Sequence, residues 1–76
     1  MEIAPRISVD PEVCHGAVVI TGTRVMVWVV LEGLAGGMNK EEVVDTYGLA
    51  VEDVDAALAF ATDVIMKTHV TALPVA

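Results

Sequence analysis

Val25-Met26-Val27-Trp28-Val29-Val30-Leu31 is an unbroken run of seven apolar residues. It leaves a Gly22-Thr23-Arg24 corner, and a β-branched segment, Ala17-Val18-Val19-Ile20, enters that corner. A run with no polar residue has no face for water, so its fold has to cover it on nearly every side. Two readings compete. By propensity the run is a buried strand. By context, Glu32-Gly33-Leu34-Ala35 extends it to helical length and Gly36-Gly37 supplies a C′ glycine. The context favours Arg24–Met26 as the end of the β part and Val27–Ala35 as a first helix. If Val25–Leu31 were one strand instead, the helical unit would lose its first member.

The chain has 76 residues, 55% of them hydrophobic, and a mean hydropathy of +0.68. That length predicts one domain over 1–76, with a β-hairpin at about 6–26, a three-helix unit at about 27–67 and a tail at 68–76. So small a domain hides a modest share of its surface, and this one has more apolar surface than a monomer easily buries. A two-fold homodimer is the expected solution. Four basic and 11 acidic residues give a formal charge of −7. Phosphate binding needs clustered Lys and Arg, so the charge disfavours DNA and favours a basic protein partner. One cysteine, Cys14, excludes an internal disulfide and fits a reducing cytosol. The N-terminus has no signal-peptide pattern and no apolar run is long enough for a bilayer, so the expected location is cytoplasmic, away from membranes.

Met1–Pro5 is expected to be a loose end. Arg6-Ile7-Ser8-Val9 alternates like a half-buried strand, and Asp10-Pro11 stops it. A loop to Gly16 leads to the second strand, Ala17–Ile20. Beyond the first helix, Asn39 is an N-cap with Glu42 three residues on, which starts a second helix over Lys40–Tyr47 with Val43, Val44 and Tyr47 inward and Gly48 as its stop. A third helix follows Leu49-Ala50. Val54, Ala57, Leu58, Ala61 and Ile65 form its inward stripe, and Phe60 and Val64 widen that stripe towards a second packing partner. Its cap is weak, because alanine has no side-chain acceptor.

Catalytic and metal chemistry find little support. Cys14-His15 are adjacent on a loop, lack further ligands at zinc spacing, and lack a positioned base and orienter. Gly22 and Gly36-Gly37 are not followed by Lys-Ser/Thr, so they punctuate the backbone and do not cradle phosphate. Glu41 and Glu42 diverge on their helix. The expectation is no enzyme, no cofactor and no metal. Arg24 is the side chain best placed to grip a partner's carboxylate or phosphate, although five donors suit bracing of the corner equally well. Trp28 and Leu31 on the first helix and Phe60 and Val64 on the third are the candidate dimer interface.

Taken in order, Ile7, Asp10-Pro11-Glu12-Val13-Cys14-His15-Gly16, Val19-Ile20-Thr21-Gly22-Thr23-Arg24-Val25, Gly37-Met38-Asn39-Lys40-Glu41-Glu42, Tyr47, Leu49 and Glu52-Asp53-Val54 resemble the domain-of-unknown-function 433 family over roughly 6–65. The resemblance implies an α+β, mostly α fold, with a short N-terminal β-hairpin and a three-helix, homeodomain-like bundle containing a helix-turn-helix. It also implies dimers, and an antitoxin role beside a PIN-like ribonuclease toxin. On this chain the third helix would then be the recognition helix, with Glu52, Asp53 and Asp55 facing the major groove and Lys40 and Arg24 as candidate DNA or partner contacts. Three carboxylates in that turn repel a phosphate backbone, and their bland role is to favour a helix N-terminus. The rival reading is an acidic dimeric interaction module without DNA binding. The family often carries Lys-Pro after the loop glycine, where this chain has Ala17-Val18.

Overall fold

The computed structural model describes residues 1–68. Three antiparallel strands, β1 (Glu2–Ala4), β2 (Ile7–Val9) and β3 (Val18–Ile20), form a meander in the order β1-β2-β3. Helices α1 (Val27–Ala35), α2 (Lys40–Tyr47) and α3 (Val51–Lys67) follow. The architecture is α+β and mostly α, with α2 and α3 in helix-turn-helix order. The expected two-stranded hairpin is present as β2–β3, with Ile7, Ser8 and Val9 opposite Ile20, Val19 and Val18.

The expectation of a loose Met1–Pro5 is wrong. The Met1 amine donates to the Val9 carbonyl, the Val9 N–H donates back to Met1, and Glu2 sits opposite Ser8. The turn that makes this possible is Pro5-Arg6, with Arg6 at φ 64°. Proline presets the first turn position, but the second needs a left-handed residue, normally Gly or Asn, and arginine does not advertise one.

The apolar run resolves in favour of the helix. Met26 makes a single bridge to Val19, and α1 starts at the next residue. Thr23 fixes the corner: its hydroxyl donates to the Ile20 carbonyl at 2.8 Å and accepts from the Val25 N–H at 3.0 Å. Gly37, at φ 105°, ends the helix, with the Met38 N–H returning to the Gly33 carbonyl. Asn39 and Glu42 form the full capping box of α2, and Gly48 terminates that helix in the left-handed region at φ 67°.

The core is Ile7, Ile20, Val27, Val30, Val43, Leu49, Val54 and Ala57, drawn from β2, β3, all three helices and, through Leu49, the connection between α2 and α3. The inward stripe of α3 is shorter than its periodicity predicts. Val54 and Ala57 are buried, but Leu58 is 37% exposed and Ile65 71%. A helix of 17 residues is about 25 Å long, and its C-terminal half has less of the domain to pack on. Thr68 closes α3 by bonding the Ile65 carbonyl, and the rest of the expected tail lies outside the described residues.

Candidate functional site

Two surfaces gather the residues singled out above. The first lies between α1 and α3. Val27, Trp28 and Leu31 form one wall, Phe60, Val64 and Ile65 the other, and Val18 and Ala61 complete a groove of about 380 Å³. Thus Trp28, Leu31, Phe60 and Val64, from two helices about 30 residues apart in sequence, share one concavity. Every lining side chain is apolar. A small-molecule site normally adds a few placed polar groups that orient the ligand, and this groove has none. Trp28 is 55% exposed and its indole N–H turns aside to the Met26 sulfur at 3.3 Å. Val64 is 42% exposed and Met66, the penultimate residue of α3, is 79% exposed. Sequence periodicity placed Ile65 inward, so its place on the groove rim was missed. The signal for it was the breadth of the apolar stripe, which is too wide for one packing partner.

The second surface is the start of α3. Asp53 is 14% exposed in its side chain and has two partners. Its Oδ2 accepts from the Ala50 N–H and its Oδ1 from Arg6 Nη1, both at 2.9 Å. Asp53 therefore repairs the cap that Ala50 cannot supply, from the N3 position of a capping box. The other half of such a box is absent, since alanine has no acceptor. The sequence carried this signal, an acid three residues after the cap. Asp55 is paired with Lys40 of α2. Two of the chain's four cations are thus held at the first turn of α3, and a third, Lys67, pairs with Asp63 on the same helix.

Glu52 is exposed beside this turn, and Glu41 and Asp45 lie exposed on α2. None of these three pairs with a cation among the described residues. Arg24 is exposed at the corner, and its guanidinium makes no hydrogen bond or ion pair among the described residues; its backbone carbonyl accepts from the Cys14 thiol at 3.4 Å. Cys14, His15 and Gly16 take left-handed φ values of 49°, 58° and 82° in succession. Among the described residues, no three His, Cys, Asp or Glu side chains converge as metal ligands, and no helix is long and apolar enough to cross a membrane.

This arrangement has solved counterparts. A protein of the same unknown-function family from Anabaena variabilis ATCC 29413 is 30% identical, superposes with a TM-score of 0.73, and is matched over 82% of this chain and 62% of its own. The protein RV2018 from Mycobacterium tuberculosis is 33% identical with a TM-score of 0.63, over 68% of this chain and 24% of its own. The chain therefore spans about three fifths of one and a quarter of the other. No curated protein matches it. The family model described as "Protein of unknown function (DUF433)" matches residues 7–61, from the start of β2 to the groove wall of α3. On that match, which takes in the whole core, the chain belongs to the DUF433 family.

Proposed function

We propose that this chain is an antitoxin-like protein of a type II toxin–antitoxin pair, which binds and neutralises a PIN-like ribonuclease and acts as a dimer. The observation that carries the reading is the charge layout. Three of the four cations are spent on internal ion pairs, while Glu41 and Asp45, one turn apart on α2, and Glu52 at the start of α3 are exposed and pair with no cation among the described residues. A ribonuclease needs a basic surface to hold RNA. An acidic face complements such a surface and speeds encounter with it. The helix-turn-helix order gives DNA a place in the reading, but Asp53 and Asp55 are already engaged by Arg6 and Lys40. Protein binding is therefore the primary activity, and operator contact, if made, belongs to the complex.

The test is co-expression with a PIN-like ribonuclease encoded next to this chain. The expected results are rescue of growth and recovery of a complex that dissociates as salt rises. The reading is refuted if the chain neither binds nor neutralises any neighbour-encoded protein. A shift assay at low salt with the isolated chain and its upstream DNA separates the modes: specific binding there puts α3 back in the role of a DNA reader.

A further inference from the structure

We propose that the cleft between α1 and α2 is a socket for an arginine side chain of a protein partner. The cleft holds about 300 Å³, and its lining includes Trp28, Glu32, Gly33, Gly36, Met38 and Tyr47. It uses none of Glu41, Asp45 and Glu52, and its test needs no ribonuclease, so this proposal and the preceding reading can fail separately.

Three features of the lining select a cation. The first is the pair of rings. Two of the chain's three aromatic residues, Trp28 from α1 and Tyr47 from α2, line this one cleft. The indole N–H of Trp28 is engaged by the Met26 sulfur, so what Trp28 offers a ligand is ring surface. The face of an aromatic ring is negative and attracts a cation. The second is Glu32. It lies one turn after Trp28 on the same face of α1. It is exposed, it is the sole charged residue of that helix, and it pairs with no cation among the described residues. It also stands in the last turn, where the negative end of a helix disfavours an acid. Nothing within α1 compensates this charge. The third is the pair of helix ends. α1 reaches the cleft through Glu32 and Gly33 in its last turn and Gly36 at its cap, and α2 reaches it through Tyr47, its final residue. Neither helix has a basic residue in its last turn. Two negative helix ends therefore add to the carboxylate.

The glycines keep the socket open. Gly33 lies so close to the connection between α1 and α2 that a Cβ there would stand 3.2 Å from the Met38 sulfur. With no side chain at Gly33 or Gly36, the space between Trp28 and Tyr47 stays unfilled. Its volume is at the lower end for ligand sites, which suits one long side chain and not a multi-ring cofactor. Arginine fits better than lysine. A planar guanidinium lies flat on a ring while its N–H groups reach a carboxylate, whereas an ammonium is a compact charge that water holds more firmly.

Trp28 is the only tryptophan, so its indole N–H gives a single resonance that reports on the cleft. The experiment titrates the isotope-labelled full chain with the peptide acetyl-Gly-Arg-Gly-amide and follows the Trp28 indole and the Gly33 and Gly36 amides by NMR. The expected result is a saturable shift at these three groups. Trp28→Leu and Tyr47→Leu, read at the glycine amides, should each raise the dissociation constant about 5-fold, and Glu32→Gln about 3-fold. Glu12→Gln removes the same charge from an exposed loop position and should leave binding as it is. Glu32 is exposed, so its variant should keep the circular dichroism of the parent chain. No saturable shift at the cleft overturns the proposal. So does equal binding of the neutral counterpart with citrulline in place of arginine, or equal weakening by Glu32→Gln and Glu12→Gln, which would mark a bulk charge effect. Tighter binding of tetramethylammonium than of the peptide would assign the cleft to a small quaternary amine and overturn the proposal equally.

Discussion

Asp53 offers the sharpest test of how this fold is held, because one carboxylate does two separable jobs. Oδ2 caps the Ala50 N–H and Oδ1 takes Arg6 across 47 positions of sequence. Losing a capping acceptor costs about 1 kcal/mol. The ion pair contributes about 0.5 kcal/mol, because Arg6 is half exposed and solvent screens it. Asp53→Ala should therefore destabilise by about 1.5 kcal/mol, summing the two. Asp53→Asn keeps an oxygen for the cap and loses the charge, so it should cost only about 0.5 kcal/mol. Arg6 adds a twist of its own: at φ 64° it is strained where glycine would not be. Arg6→Gly should relieve about 1 kcal/mol of turn strain while losing the pair, for a change close to zero or slightly stabilising. The assay is urea unfolding followed by circular dichroism, at one fixed protein concentration because self-association shifts apparent stability. An Arg6→Ala, Asp53→Ala cycle should give a coupling of about 0.5 kcal/mol. Equal losses for Asp53→Ala and Asp53→Asn would refute the division of labour, and zero coupling would refute the bridge.

The other expectations concern single positions. Gly33→Ala and Gly48→Ala should differ in sign. At Gly33 an added Cβ meets the flexible Met38 sulfur at 3.2 Å inside a helix, so the propensity gain of up to about 1 kcal/mol makes the change neutral or stabilising. At Gly48 the space is open but φ is +67°, so alanine should cost about 1 kcal/mol; thermal melts of the two variants decide. Val30, fully buried in the middle of the apolar run, should lose about 2 kcal/mol as Val30→Ala, measured by the same urea series. Asn39→Ala removes the acceptor of a complete capping box and should lower stability by about 1 kcal/mol without changing the acidic face.

Much of this was legible in the residue order, for local reasons. The limits of α1 and α2 follow from Gly36-Gly37, Asn39 with Glu42, and Gly48, each of which acts within a turn of itself. The gathering of Trp28, Leu31, Phe60 and Val64 was legible because two helices carried more apolar surface than one core could use. What stayed hidden depends on partners distant in sequence or on unusual backbone. Strand β1 escaped because its turn relies on a left-handed Arg6. The pairs Arg6–Asp53 and Lys40–Asp55 could not be drawn until β2, α2 and α3 had been placed side by side. Thr23 looked like part of a generic corner, yet its hydroxyl ties the end of β3 to Val25. Ile65 fitted the helical period but lies beyond the reach of the core. Periodicity gives a direction around the helix and says nothing of how far along it the domain extends.

The strand and helix order has a kinetic meaning. Each strand pairs with its neighbour in sequence, and each helix packs on the next, so most contacts form by short excursions of the chain. Closure of β2 and α1 onto α3 is the long-range event. Short-range topologies fold fast, and a contact made after the barrier governs how quickly the fold opens rather than how quickly it forms. The seam where Arg6 meets Asp53 and Ile7 joins the core with Val54 therefore reports the order of events: a substitution there that shortens only the lifetime of the folded chain places the closure after the barrier, and one that slows folding places it before.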